Sequence, residues 1–390
     1  GEGKKPEKDI PFAVIGSLLI AIALYSLLQI AFIGGIDWNN LYLNESGKLV
    51  PITPGNWSAL TSAVTKSGIA ISNGPFYVLL TSTPLSGILA LIFLVWSYIL
   101  ILDAIVSPSG TGWIYLGSTA RTVYAFATNG YLPEIFLRVG RTKVPTLSLL
   151  LSLILGIIFL LPFPSWYALV GFNSLTTVLT YIMGGIGLAV LRKTAPDLKR
   201  PFKLSGASII APIATVAAGL IIYWSGFATL FYVFTAIFFG LPLFLTFYAN
   251  KVLGIKRNLG ITISIVDVLA NLGLSLYLFY STNGLTNSNN IAFLIYITGI
   301  SLMLISNMLV LFLKSSQKKE INAGWWLVFF ILAIYALSYF GNFGLYTTIP
   351  FPEDTLIATI MILAFYFWAV YSGFRTEAIE EIIEETKEAI

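Results

Sequence analysis

Residues 87–121 read GILALIFLVWSYILILDAIVSPSGTGWIYLGSTAR, in which Asp103 is the only charged residue before the terminal Arg121. As an α-helix, these 35 residues extend about 52 Å, more than the roughly 30 Å hydrocarbon core of a bilayer. Of the whole chain, 57% of residues are hydrophobic and 10% are charged, whereas soluble domains carry about 25% charged residues. The sequence therefore predicts an all-α integral membrane protein with about ten transmembrane helices.

The same run indicates how often the chain crosses the membrane. Splitting it into two crossings would place Arg138 and Arg141 on the side opposite the other basic loops, so we expect one long, tilted helix. Residues 107–119 are small and rich in hydroxyl groups, and they include Pro108. This composition is typical of a kinked helix that packs inside a bundle or lines a cavity.

Nine further apolar runs accompany this helix. In hydrocarbon the backbone must satisfy its own hydrogen bonds, and the runs lack the alternation of a barrel strand, so each is predicted to be a helix. The ten predicted spans are 11–33, 86–122, 145–163, 166–191, 207–225, 227–249, 261–281, 290–314, 324–340 and 355–374.

The basic residues predict the orientation of these spans. Ten crossings place 20 of the 22 lysines and arginines on one side, and only Lys48 and Lys66 on the other. Because basic loops stay in the cytoplasm, we expect a cell-membrane protein with both chain ends cytoplasmic and an ordered extracellular cover formed by residues 34–85. This topology accounts for the net charge of +4, so nothing favours a nucleic-acid partner.

Several functions are excluded by missing residue types. The chain has no cysteine and no histidine, which excludes disulfides, thiol chemistry, imidazole metal sites and histidine-dependent catalytic triads. No glycine-rich loop with lysine is present to cradle a phosphate. We therefore expect no enzyme, no metal and no cofactor, apart from a coupling ion such as Na⁺ or H⁺.

Polar stretches along the first 250 residues resemble, in the same order, motifs of the amino acid–polyamine–organocation (APC) transporter superfamily. Residues 2–11 resemble the loop before the family's seventh helix, and residues 107–112 and 121–133 resemble the eighth helix and the segment after it. The residues that carry the resemblance read EGKKPEKDIP (2–11), SPSGTG (107–112), RTVYAFATNGYLP (121–133), KVP (143–145, opening the ninth helix) and RKTAPDLKRPFK (192–203, between the tenth and eleventh helices).

The resemblance implies that residues 1–249 form the second half of a permease core, similar to helices seven to twelve of the inverted-repeat, leucine-transporter-like fold. The first six helices, which include the broken ones that hold the substrate, lie outside this sequence. We expect a fragment whose missing helices are attached upstream or belong to another chain. Residues 250–374 add four helices, and residues 375–390 form an acidic cytoplasmic tail that is either a solvated helix or a docking element.

The resemblance also implies positions for a binding site. Tyr115 would wall the substrate pocket, and Asn173 and Ser174 would contribute polar groups from the family's tenth helix. Thr111 matches a hydroxyl ligand of the ion in sodium-coupled relatives, and Ser107 lies one turn earlier. Tyr115 is also compatible with ordinary packing, and Thr111 with a bond to its own i−4 carbonyl. An amide facing lipid is unfavourable, so we expect Asn173 to face the bundle interior.

Two acids lie within predicted spans. Asp103 lies 12 residues, or about 18 Å of helix, from Tyr115, and it suggests a proton relay or a vestibule charge. Asp267 is followed by Asn271 one turn later, and this stripe favours contacts between helices over ion movement.

These observations predict a secondary transporter for amino acids or related amines that works by alternating access, driven by an ion gradient or by exchange. Its expected partners are a small-molecule substrate, the lipid bilayer, the missing helices and further membrane subunits. The alternative is a non-transporting scaffold or accessory subunit built on a permease-like fold. A membrane-embedded enzyme is the weakest alternative, because Asp103 and Asp267 lie on distant spans.

Overall fold

The computed structural model describes residues 5–384 except for 46, 61, 67, 72–73, 83–85, 142–143, 161–165, 199, 201, 377–378 and 382. Nine helical stretches in this part of the chain are long and apolar enough to cross a membrane, and Thr146–Leu160 is a shorter apolar helix. The predicted all-α membrane fold is therefore confirmed.

The elements fall into two compact units, residues 1–118 with 159–167, and residues 119–158 with 168–390. Each predicted span contains a helix. In chain order the elements are α1 (Pro6–Gly35), β1 (Leu41–Glu45), β2 (Lys48–Pro51), α2 (Trp57–Leu60), β3 (Val64–Thr65), α3 (Pro75–Ser82), α4 (Gly87–Thr128), α5 (Thr146–Leu160), α6 (Trp166–Thr194), α7 (Ala207–Trp224), α8 (Phe227–Leu243), a π-helical turn (Phe244–Tyr248), α9 (Ala249–Lys251), α10 (Arg257–Ser281), α11 (Asn290–Lys314), α12 (Lys318–Phe340) and α13 (Glu353–Ser372).

The first unit contains a small folded segment between α1 and α4. Strands β2, β1 and β3 form an antiparallel sheet in that order, and Leu43 pairs with Val50. Gly47, at φ +85°, makes the hairpin turn, and its N–H donates to Asn44 Oδ1 at 3.1 Å. The segment has its own core of buried apolar side chains, formed by Leu41, Ile52, Leu60, Ala63, Ile71 and Val78.

Helix α4 is longer than the sequence predicted. It ends at Thr128 rather than near residue 122, because Arg121 marks a change in polarity and not the end of the helix. The helix ends where Gly130 adopts φ +83° and the N–H of Tyr131 donates to the carbonyl of Phe126 at 2.8 Å. This pattern is a Schellman motif, which glycine favours for steric reasons.

The second unit is built around an aromatic core between α7, α8, α11, α12 and α13. Phe227 lies 5.1 Å from Tyr335 in a stacked arrangement, and Phe293 stacks on Tyr339 at 3.8 Å. The rings of Phe227, Tyr335 and Tyr339 are fully buried or nearly so. Large flat rings at the helix crossings bury much apolar area, which stabilises the packing of these helices.

The end of α6 is tied to the C-terminal segment. Lys193 Nζ donates to the carbonyls of Val370 and Tyr371, and Arg375 pairs with Asp197 at 3.3 Å and with Glu380 at 3.8 Å. In the tail, Ile383 is buried, so the described part of the tail is not a fully solvated helix. Residues 385–390 of the predicted tail lie outside the described residues.

Candidate functional site

Four predicted site residues form one stripe on α4. Asp103, Ser107, Thr111 and Tyr115 follow each other at intervals of four residues, and all four side chains are exposed. Four residues turn a helix by about 400°, so the stripe drifts slowly around it and rises about 18 Å from end to end. The structure therefore brings these four residues onto one face of a single helix that continues through Pro108.

The hydroxyl groups on this stripe differ in their hydrogen bonding from the hydroxyl of Ser109, which lies beside the stripe. Ser109 Oγ donates to the carbonyl of Ile105 at 2.6 Å, which is the usual bond of a hydroxyl in a membrane helix. Among the described residues, no hydrogen bond is formed by the hydroxyl of Ser107 or of Thr111, and no ion pair is formed by Asp103. Within the described part of the chain, these groups keep their hydrogen-bonding capacity unused.

The surrounding surface of α4 is open. A Cβ atom added at Gly110, Gly112 or Gly117 would meet no described atom within 4 Å, apart from its own surroundings on the helix. Tyr115 is 64% exposed and Trp113 is 78% exposed. Tyr115 is thus exposed in the described part of its unit, and both interpretations of it, as a pocket wall and as packing between helices, stay predictions.

A second set of predicted residues lies on α6. One side of this helix packs into the core of the second unit through Leu175, Ile182 and Ile186. Asn173 and Ser174 lie away from this core and are exposed, so the expected orientation of Asn173 toward the bundle interior stays a prediction. The side of α6 that faces this core is apolar, because its buried residues are aliphatic. The α4 stripe belongs to the first unit, whereas Asn173 and Ser174 belong to the second.

Asp267 differs from the other predicted residues because it is buried. It lies on α10, is 3% exposed, and its Oδ2 accepts a hydrogen bond from Asn307 Nδ2 on α11 at 2.6 Å. Asn271 is fully buried, and its Nδ2 donates to the carbonyl of Thr235 on α8 at 3.1 Å. The predicted polar stripe on this helix therefore contacts two neighbouring helices. Among the described residues, no group of three acidic side chains is placed to hold a metal ion.

Sequence reasoning missed a second buried carboxylate, Asp354 at the start of α13. Its Oδ2 accepts hydrogen bonds from Tyr223 Oη on α7 at 2.6 Å and from the N–H of Asn342 at 3.0 Å. Asp354 is completely buried. The partners lie 131 and 12 positions away in sequence, so no local pattern indicated them.

Further contacts that the sequence did not predict hold the segment after α4 in place. The ring of Tyr131 stacks on that of Tyr248 at 4.4 Å, and Glu134 pairs with Lys251 at 3.1 Å. Tyr248 Oη in turn donates to Glu320 on α12 at 2.8 Å. The π-helical turn that contains Tyr248 is a feature often found at functional positions, although the sequence gives no signal for it beyond Pro242 just before it.

Comparison with protein families matches residues 1–269 to the amino acid permease family. The chain is 29% identical over 388 residues to the Glutamate/serine transporter AimA of Bacillus subtilis (strain 168), covering 98% of this chain and 55% of the relative. It is 30% identical over 389 residues to the Aspartate-proton symporter of the same organism, covering 97% of this chain and 57% of the relative.

A more distant match is the Proline-specific permease of Emericella nidulans, at 26% identity over 202 residues, covering 49% of this chain and 31% of the relative. The chain spans slightly more than half the length of the two Bacillus relatives. The alignments with these two relatives cover nearly all of this chain, so they include its last four helices. No solved structure matches the chain.

Proposed function

Because this chain belongs to the amino acid permease family, we propose that it forms part of a secondary transporter that carries amino acids across a membrane by alternating access. The chain is a multi-pass membrane protein, and the relatives that it matches are transporters rather than enzymes. In alternating access, one group of helices rocks against another around a solute held near the middle of the membrane.

The substrate class that we infer is an amino acid with an acidic side chain, coupled to protons. This inference is supported by the names of the two Bacillus relatives, a glutamate/serine transporter and an aspartate–proton symporter. It is also compatible with the exposed polar groups of α6. The amide of Asn173 and the hydroxyl of Ser174 are hydrogen-bond donors of the kind that bind a carboxylate.

The α4 stripe supplies the remaining roles in the proposal. Tyr115 walls the pocket, Thr111 and Ser107 offer hydroxyl ligands to the solute or the coupling ion, and Asp103 acts as a proton relay or a vestibule charge. Placing an acid this far inside a span costs free energy, so acids found there usually have a function. This supports the assignment of Asp103.

The membrane arrangement in the proposal follows the basic loops. Both chain ends lie on the cytoplasmic side of a cell membrane, and the folded segment between α1 and α4 covers the extracellular side. Residues 1–249 form the second half of the permease core, and six further helices, upstream or on another chain, complete it. Residues 250–374 are four additional helices.

Transport is favoured over the scaffold alternative by the extent of the alignments. If a non-transporting subunit had acquired the four C-terminal helices as docking surfaces, we would not expect to find these helices in transporters. The two Bacillus transporters align with nearly all of this chain, these helices included. The structural observation that chiefly supports the proposal is on α4 of this permease chain: two hydroxyls and a carboxylate without a partner among the described residues share one face of the helix.

The test is uptake of radiolabelled glutamate, aspartate and serine into liposomes that contain the full-length protein, with and without an inward proton gradient. We compare a Ser107→Ala/Thr111→Ala variant with Ser109→Ala, whose hydroxyl is already bonded to its own helix. Loss of a neutral hydrogen bond costs about 0.5–1.5 kcal/mol, so each lost ligand weakens apparent affinity roughly 2- to 10-fold.

We expect gradient-driven uptake of at least one acidic amino acid, a weaker apparent affinity in the double variant, and no change in Ser109→Ala. Absence of uptake or exchange of any amino acid by the unmodified protein would contradict the proposed function. Equal effects of the double variant and Ser109→Ala would remove the α4 stripe from the site while leaving transport standing.

A further inference from the structure

The groove between α10 and α11 holds an acid that the proposed transport site does not use. Its floor is formed by Asp267 and Asn307, and its walls include Thr262, Gly299 and Ser306. The cavity measures about 360 Å³, which is within the range of small-ligand sites.

The groove lies deep within the spans. Asp267 is ten residues after Arg257 and fourteen before Ser281, which places it about 15 Å and 21 Å from the two ends of α10. Along the rim, Val266 is 57% exposed and Leu302 is 62% exposed. Apolar side chains at this depth suit a surface that faces hydrocarbon, which favours an opening of the groove toward lipid rather than toward water.

Among the residues that the structure describes, the acid has a single hydrogen-bond donor. Asn307 Nδ2 reaches Oδ2 at 2.6 Å, and no described group donates to Oδ1. The hydroxyls in the walls are bonded to their own helices, because Thr262 donates to the carbonyl of Asn258 and Ser306 to that of Leu302. The carboxyl group therefore has an unused oxygen beside the cavity.

No cation neutralises this acid within the described residues. The titratable and charged groups on α10 and on the elements packed against it are Arg257, Tyr277 and Tyr280 on α10, Tyr232 on α8, Tyr248 in the π-helical turn, Lys251 on α9, and Tyr296 and Lys314 on α11. None of these groups hydrogen-bonds or ion-pairs with Asp267 in the described part of the chain. An isolated charge at the centre of a bilayer is strongly disfavoured, and a bound proton removes it.

We propose that Asp267, positioned by Asn307, is a proton-binding site that opens to the bilayer. It is separate from the α4 and α6 residues of the proposed transport site and does not depend on their role. The ligand class is the proton, and the cavity admits apolar reagents that react with a carboxylic acid. In that reaction the acid's proton moves to a carbodiimide nitrogen while a carboxylate oxygen adds to the central carbon, and no oxidant or other reactant is needed.

The test compares two carbodiimides on the full-length protein in native membranes at neutral pH, and the modified residue is identified by mass spectrometry. Dicyclohexylcarbodiimide is apolar and partitions into lipid, whereas a water-soluble carbodiimide carries a cationic amine. A cation reaches the bilayer centre about 100-fold less readily than a neutral group, so we expect label on Asp267 from the apolar reagent at about 100-fold excess.

Three variants sharpen the result. Asp267→Asn should lose this label, and Ser306→Ala, in the same groove but bonded only to its own helix, should leave it unchanged. Asn307→Leu should raise the rate of labelling, because the amide no longer competes for Oδ2; an unchanged rate would remove Asn307 from the site.

The proposal is overturned if Asp267 in the unmodified protein stays unlabelled by the apolar reagent, or if the water-soluble reagent labels it equally. Mapping the label on the unmodified protein needs no variant to fold. Because labelling requires no transport, failure of this inference is distinguishable from failure of the transport proposal.

Discussion

Replacing Tyr223 by phenylalanine isolates the hydrogen bond that joins α7 to α13. The ring stays in place, so the change removes one hydroxyl whose oxygen lies 2.6 Å from Asp354 Oδ2. Tyr223 and Asp354 are both completely buried, so water cannot replace the lost donor. A hydrogen bond to a charged group contributes about 1.5–3 kcal/mol.

The remaining donors to Asp354 limit the loss. The N–H of Asn342 donates to Oδ2 at 3.0 Å and that of Thr355 to Oδ1 at 2.5 Å, so the carboxylate is never left without a partner. We therefore expect Tyr223→Phe to lower the free energy of unfolding by about 2 kcal/mol, in the middle of that range.

The assay is unfolding of the purified full-length protein in mixed micelles, followed by circular dichroism as the SDS fraction rises. Tyr181→Phe is the matched control, because Tyr181 is 61% exposed. A double-mutant cycle with Asp354→Asn measures the coupling between the two side chains. Equal midpoints for Tyr223→Phe and Tyr181→Phe, or a coupling energy near zero, would show that the hydrogen bond between Tyr223 and Asp354 does not stabilise the fold.

Three further predictions address packing and the site. Gly219→Ala should destabilise the protein, because its Cβ would lie 2.6 Å from Ile362 Cδ1, whereas Gly240→Ala in α8 has no described atom within 4 Å and should be neutral or stabilising; thermal unfolding compares them. Tyr131→Ala should lower stability by about 1–3 kcal/mol through loss of the stacked ring, and a midpoint equal to that of Glu134→Gln, whose ion pair is exposed, would contradict this. Asp103→Asn should reduce proton-driven uptake more than exchange of unlabelled for labelled substrate, and equal reductions would remove Asp103 from the coupling path.

The spans could be predicted because hydrocarbon imposes a helix on every long apolar run, as α10 and α11 illustrate. The end of α4 was misplaced because polarity changes at Arg121 while the backbone continues helical to Thr128. Sequence patterns report burial by the membrane, and they do not report where the backbone hydrogen bonds stop.

The site was predicted unevenly for a physical reason. The spacing of Asp103, Ser107, Thr111 and Tyr115 can be read directly from the sequence, because helical periodicity is local. The partners of the buried acids could not be predicted, because Asn307 lies 40 residues from Asp267 and Tyr223 lies 131 residues from Asp354. Such pairs arise from the packing of distant helices.

Contact between the transported solute and Thr111 is tested most directly by substrate protection of a cysteine at this position. The chain has no cysteine, so a Thr111→Cys variant introduces a single thiol into it, and Ser109→Cys supplies a control off the stripe. Modification by a small thiol reagent is measured in membranes with and without glutamate or aspartate. We expect substrate to slow modification at position 111 and not at position 109. Equal rates with and without substrate at both positions, in a protein that transports it, would show that the α4 stripe does not line the substrate path.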